Sequence, residues 1–145
     1  MFDTPVQIAG ALLTVLVTAA ALRFGGWPER IVALASLAAY LLSPAAQLLQ
    51  GPLGPQGALW GVAVIDVALF SLLVHLTLTR PRLWLPLAAG VELATALAHL
   101  GRLLDPNLLP RGYVTSLWVF YFLFLGTIVF GLYEVRRRRR FGFAV

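Results

Sequence analysis

Four ionisable side chains lie inside long apolar stretches of this sequence, and their types could support chemistry. They are Asp66, His75, Glu92 and His99. An ionisable residue within the hydrocarbon layer of a membrane is costly, and by default it marks a candidate site. Two carboxylates close together in a low dielectric do not both ionise readily, and an imidazole beside them can exchange a proton. These residue types therefore suit proton, cation or ligand handling.

The spacing predicts that three of the four converge. A tight turn is predicted at Pro81, which makes the apolar stretches before and after it antiparallel neighbours. If residues are counted outward from Pro81 along both helices, Asp66 lies at a depth in the membrane between those of Glu92 and His99. Glu92 and His99 are seven residues apart, which is two helical turns, so they share one helix face with Thr95 between them. We therefore expect a polar cluster of Asp66, Glu92, His99 and Thr95 inside the membrane.

Three interpretations of this cluster remain open. It could be an interhelical hydrogen-bond pin that holds the bundle together. It could handle a proton, an ion or a ligand. It could also hold a divalent metal, but the spacing matches no helical metal motif, so no metal site is predicted. His75 lies nine residues after Asp66 and points away from the cluster, and we expect it to reach the membrane interface.

The elements that position these residues are membrane spans. The sequence is 60% hydrophobic and only 12% charged, with a mean hydropathy of +0.87, whereas soluble domains carry about 25% charged residues. An ordinary soluble globule is therefore excluded. We predict an all-α integral membrane protein, a compact bundle of five transmembrane helices at about 6–22, 31–49, 57–79, 83–101 and 113–133. These form one transmembrane domain, 1–135, followed by a short basic tail, 136–145.

The arginines predict the orientation. All eleven basic residues are arginine. If the chain crosses the membrane five times, unequal numbers of these arginines lie on the two sides. One side holds only Arg102 and Arg111, and the other holds Arg23, Arg30, Arg80, Arg82 and Arg136–Arg140. The positive-inside rule puts the richer side in the cytoplasm. The N-terminus is then outside and the C-terminus inside, in a bacterial inner membrane with a periplasmic N-terminus.

The run of Arg136, Arg137, Arg138, Arg139 and Arg140 has a topological and a binding interpretation. It is predicted to anchor the C-terminal end in the cytoplasm, and it could bind anionic lipid headgroups. Nucleic acid is not an expected partner, because five arginines without an accompanying nucleic-acid-binding fold are weak evidence for such binding.

Pro44 lies inside the second span and is predicted to kink it, either for packing or to line a substrate site.

The remaining acids and two aromatic residues are predicted at the membrane edges. Asp3, Glu29, Asp105 and Glu134 fall at or outside the ends of the spans. Trp84 and Tyr113 also fall at span ends, where amphipathic rings favour the headgroup zone.

The sequence favours two function classes and excludes others. It has no cysteine, which removes thiolate chemistry, and it contains no catalytic or phosphate-binding motif, so neither an enzyme nor a cofactor is predicted. The first class is a non-enzymatic accessory or partner-binding component of a membrane complex. The second is a small transporter, channel or proton-linked carrier built on the Asp/Glu/His cluster. Either is expected to work as a homo-oligomer or within a larger complex.

Overall fold

Five α-helices make up the protein in a computed structural model that describes residues 5–50, 59–105, 107 and 109–140. They are α1 (Pro5–Phe24), α2 (Trp27–Gln50), α3 (Trp60–Thr79), α4 (Trp84–Leu104) and α5 (Pro110–Arg140). No strand occurs within these residues. The prediction of an all-α chain with five helices is confirmed.

Prolines explain where most of the helices begin. Pro5, Pro28, Pro86 and Pro110 each lie in the first turn of their helix, where the missing N–H would have no partner and the fixed φ angle suits helix. A proline also explains where α3 ends. Arg80 follows the last residue of α3 and precedes Pro81, and it is extended (φ −135°, ψ 114°) because the residue before a proline disfavours the helical conformation.

Each of the five helices is long and apolar enough to cross a membrane. Leucines, valines and aromatic rings cover much of the outer surface, as at Leu16, Leu41 and Leu78. Contiguous apolar surface of this extent is unusual on a soluble monomer. The five helices are consistent with a multi-pass membrane protein.

The helices form a closed ring. Each helix packs on the next one along the chain, and α5 packs on α1 as well as on α4. A buried apolar core lies inside the ring, with contributions from every helix. Its largest members are Trp84 and Leu85 of α4, Phe124 and Ile128 of α5, and Leu73 and Leu76 of α3.

One end of this ring is named here the arginine-rich end. It contains the C-terminal end of α1, the beginning of α2, the turn between α3 and α4, and the C-terminal end of α5, together with the arginines predicted to share one side. The other end, named the opposite end, contains the connection between α4 and α5.

The helices end at positions somewhat different from the predicted ones, and α2 and α5 extend furthest beyond their predicted spans. The α5 helix continues beyond position 133 to Arg140, so the first five residues of the predicted tail extend the helix, and 141–145 lie outside the described residues. With 31 residues it measures about 46 Å, more than the ~30 Å hydrocarbon layer. The α2 helix runs unbroken through Pro44 to Gln50.

Candidate functional site

A chain of hydrogen bonds joins three helices near the opposite end. Asp66 on α3 contacts His99 on α4, with 2.9 Å between Oδ2 and Nε2. The other ring nitrogen of His99, Nδ1, lies 2.6 Å from the hydroxyl of Tyr113, which is in the first turns of α5. The two rings meet edge to face. The imidazole therefore has both nitrogens in hydrogen bonds with groups from neighbouring helices.

This chain can exist with His99 neutral or protonated. In the neutral form, Nε2–H donates to Asp66 and Nδ1 accepts from the hydroxyl of Tyr113. In the protonated form, both nitrogens donate, and the hydroxyl turns to accept from Nδ1. A tyrosine hydroxyl can donate or accept, so His99 can gain or lose a proton without leaving either neighbour unpaired.

Glu92 is buried two helical turns before His99 on the same helix face. It is 5% exposed, and the carboxylate of Asp66 is close enough to interact with it electrostatically. Its Oε2 atom has no hydrogen-bond partner. Because a buried charge without a partner costs several kcal/mol, this carboxyl group is suited to carry a proton or to bind a polar ligand.

Two residues of this region were not in the predicted cluster. Tyr113 was predicted as an interfacial ring, and Arg102 was counted only as a loop arginine. Arg102 is 6% exposed in the last turn of α4, three residues after His99, and its charge acts on Tyr113. The three-residue spacing from His99 was a usable signal for Arg102. We name Asp66, Glu92, His99, Arg102 and Tyr113 the histidine cluster.

The other predicted residues lie apart from these bonds. Thr95 is buried between Glu92 and His99, but its hydroxyl donates to the Val91 carbonyl of its own helix at 3.1 Å. His75 is exposed on α3. Within the described part of the chain, no group of three His, Asp or Glu side chains is arranged to hold a metal ion.

A second polar region lies at the arginine-rich end, and its residues had been predicted at the membrane edges. Glu29 and Trp84 are both fully buried. The indole Nε1 of Trp84 donates to Oε1 of Glu29 at 2.9 Å, and the backbone N–H of Gly26 donates to Oε2 at 2.9 Å. Each satisfies the other's polar group inside the bundle. Their predicted position at a membrane edge stays a prediction, because burial between helices and depth in a membrane are separate properties.

Glu134 on α5 binds the turn between α3 and α4 in the same region. Its Oε2 accepts from the N–H of Leu83 at 3.2 Å, and its Oε1 pairs with Arg138 at 2.8 Å. Arg138 also donates to the carbonyl of Pro81. Glu134 is buried between helices, and its predicted position at a membrane edge likewise stays a prediction. We name Glu29, Trp84, Glu134 and Arg138 the tryptophan cluster.

Gly131 allows α5 to approach Trp84. A Cβ atom at this glycine would lie 2.8 Å from two atoms of the indole ring, closer than side chains come in real structures. Any larger residue would require the indole or α5 to shift. Only a residue without a side chain fits there in the observed packing.

A third set of polar contacts joins α1, α2 and α5. The hydroxyl of Tyr40 donates to the carbonyl of Gln7 at 2.9 Å, and its ring stacks on that of Tyr121. The Tyr121 hydroxyl is hydrogen-bonded to Thr14, whose own hydroxyl is also bonded to the carbonyl of Gly10. These contacts hold α1 between its neighbours, and the sequence analysis had not identified them.

Comparison with known proteins finds no relative of this chain. Neither a family model, nor a curated protein, nor a solved structure matches the chain.

Proposed function

We propose that the histidine cluster takes up and releases protons and that the protein is a small proton-linked membrane carrier. The observation that carries this proposal is the hydrogen-bonded chain from Asp66 through His99 to Tyr113, which accommodates either protonation state of the imidazole. The unpartnered oxygen of Glu92 supplies a second acidic group close to the chain.

The proton follows an order set by the hydrogen bonds. It enters from the opposite end, where Tyr113 lies close to the exposed residues Asp105 and Arg111 in the sequence. The hydroxyl of Tyr113 gives its proton to Nδ1 of His99 and takes a replacement proton from the side of the opposite end, so that the tyrosine stays a neutral hydroxyl. The imidazolium then gives its Nε2 proton to Oδ2 of Asp66, which leaves a neutral imidazole protonated on Nδ1. Neutralising Asp66 removes its repulsion of Glu92.

The apolar core supports a carrier rather than an open channel. Buried Leu73, Leu76 and Ile128 belong to the core cluster, and their aliphatic side chains can neither donate nor accept a proton. A proton held at Asp66 therefore needs a change in helix packing to continue.

We also propose the orientation and location. The arginine-rich end faces the cytoplasm of a bacterial cell and the N-terminus faces the periplasm. Burial of Arg102 in the histidine cluster supports this orientation, because Arg111 is then the one exposed arginine at the opposite end among the described residues. A periplasm-specific reporter fused to the C-terminus should be inactive, and an active fusion would reverse the orientation.

A second candidate function is that of a non-enzymatic, partner-binding component of a membrane complex. An open apolar groove of about 520 Å³ between α4 and α5 favours it, lined by Leu87, Val119, Phe122, Leu123, Gly126, Thr127 and Phe130. A neighbouring helix could pack in such a groove. Stable co-purification of a membrane protein in mild detergent, lost on Gly126→Leu, would support this function.

Proton flux into proteoliposomes tests the carrier. A potassium diffusion potential drives protons inward, and a trapped pH-sensitive dye reports them. Wild-type protein should acidify the lumen, and Asp66→Asn or His99→Gln should reduce the rate at least about tenfold, as expected when a relay group is removed. His75→Gln is the matched control, since His75 is exposed, and it should keep the wild-type rate. Equal rates in His75→Gln and His99→Gln, or no wild-type flux above empty vesicles, would refute the carrier.

A further inference from the structure

Three arginines from three different elements lie against two exposed aromatic rings at the arginine-rich end. The guanidinium carbon of Arg23 is 5.4 Å from the centre of the Phe24 ring, and that of Arg136 is 5.8 Å from the same centre. Arg80 lies 5.1 Å from the centre of the Trp27 ring. Phe24 is 47% and Trp27 is 56% exposed. The α1–α2 connection therefore carries an aromatic surface bordered by positive charge.

The charge of Arg23 and Arg136 is not compensated within the described residues. Neither takes part in the ion pairs observed there. The carboxylates of this end, Glu29 and Glu134, already bind other groups in the tryptophan cluster. Two guanidinium groups next to one ring, with no acid paired to either, leave positive charge that an anion bound beside the ring would neutralise.

A phosphate group is the anion that best suits this arrangement. A guanidinium lying against an aromatic ring keeps its N–H groups available, and these match phosphate oxygens in a bidentate geometry. Phe24 and the neighbouring Leu22 are exposed apolar residues that could contact acyl chains. We propose that Arg23 and Arg136 together bind the headgroup phosphate of one anionic phospholipid beside Phe24.

This site differs from general attraction of the basic tail to a charged surface. It joins α1 to α5 through one lipid, and it uses Arg136 but not Arg137 or Arg139, which are also exposed on the same helix. Trp27 and Arg80 extend the surface towards the turn between α3 and α4. The inference requires that this end lies at a membrane surface, and it does not depend on proton handling by the histidine cluster.

Native mass spectrometry of the full chain in mild detergent tests the site, with phosphatidylglycerol as the probe and phosphatidylcholine as the zwitterionic reference. The double variant Arg23→Gln/Arg136→Gln should bind phosphatidylglycerol at least about 100-fold more weakly than wild type, at about tenfold or more for each charge-assisted hydrogen bond to phosphate that is lost. The matched control, Arg137→Gln/Arg139→Gln, removes the same charge and should lose no more than about threefold.

Two further measurements distinguish lipid phosphate from inorganic phosphate and test the role of the Phe24 ring. Inorganic phosphate at millimolar concentration should not displace phosphatidylglycerol, because it cannot contact Phe24 and Leu22. Phe24→Ala should weaken phosphatidylglycerol binding about fivefold or more, as expected when a cation–π support and an apolar contact are lost. Equal losses in the two double variants, displacement by inorganic phosphate, or equal retention of both lipids would overturn the proposal.

Discussion

Both polar clusters contain buried acids and an arginine, but they differ in how completely the acids are paired. In the tryptophan cluster, every carboxylate oxygen of Glu29 and Glu134 has a partner. In the histidine cluster, Glu92 keeps one buried oxygen without a partner, and His99 has a neighbour that can donate or accept. A fully paired cluster stabilises one conformation. A partly paired one keeps the capacity to bind a proton.

This difference separates two interpretations that the sequence left open for Asp66, Glu92 and His99. An interhelical pin needs satisfied groups on neighbouring helices, and the tryptophan cluster meets that requirement better. It links the beginning of α2, the turn before α4 and the end of α5 at one end of the bundle. We therefore attribute the structural role chiefly to the tryptophan cluster and the proposed proton chemistry to the histidine cluster.

The strongest test removes the centre of the tryptophan cluster. Trp84→Ala should lower the free energy of unfolding by about 3–5 kcal/mol, the range for truncating a buried large aromatic residue, and should leave the acceptor Oε1 of Glu29 unpaired. Reversible unfolding in mixed micelles measures the loss. Trp60→Ala is the control, because Trp60 is 42% exposed, and it should cost much less. Similar losses in the two variants would show that Trp84 has no special role.

A second test compares one acid from each cluster by the same change. Glu29→Gln replaces an acceptor oxygen with an amide that cannot accept from both present donors, and it should cost about 1.5–3 kcal/mol of unfolding free energy. Glu92→Gln removes no observed bond at Oε2 and should change stability by less than about 1 kcal/mol. If Glu92→Gln were the more destabilising of the two, the assignment of roles to the clusters would be reversed.

The smallest expected effect concerns the approach of α5 to Trp84. Gly131→Ala places a methyl group against the indole and should cost about 1 kcal/mol, the lower end of the range for overpacking. Gly126→Ala on the same helix has no atom within 4 Å of the added Cβ, so it should be neutral. Thermal unfolding of the two variants side by side measures the difference, and an unchanged Gly131→Ala variant would mean that Trp84 can move freely.

Much of the fold could be predicted because apolar length and proline positions act locally. The five helices, their order and the turn at Pro81 follow from runs of apolar residues broken by proline and glycine. Because helices on both sides of this turn run antiparallel, Asp66 and His99 were expected at similar depth. The structure brings them into contact at 2.9 Å.

The partners of these residues could not be predicted in the same way. Tyr113 follows a longer connection that includes Pro106 and Pro110, so its depth relative to His99 depends on how α5 enters the bundle. Glu29 and Glu134 lie near helix ends, where hydropathy predicts exposure. Whether such a residue faces water or the interior depends on the rotation of its helix, and the pairing of Glu29 with Trp84 spans 55 positions of the chain.

The sequence by itself determined that this protein has five apolar helices, and it identified which few residues are polar within them. The arrangement of arginines predicted the orientation, because that rule depends only on the order of loops along the chain. Only the tertiary structure decided which polar groups are paired. Pairing depends on helix rotation and on close approaches such as that of Gly131 to Trp84, and both are set by packing among all five helices.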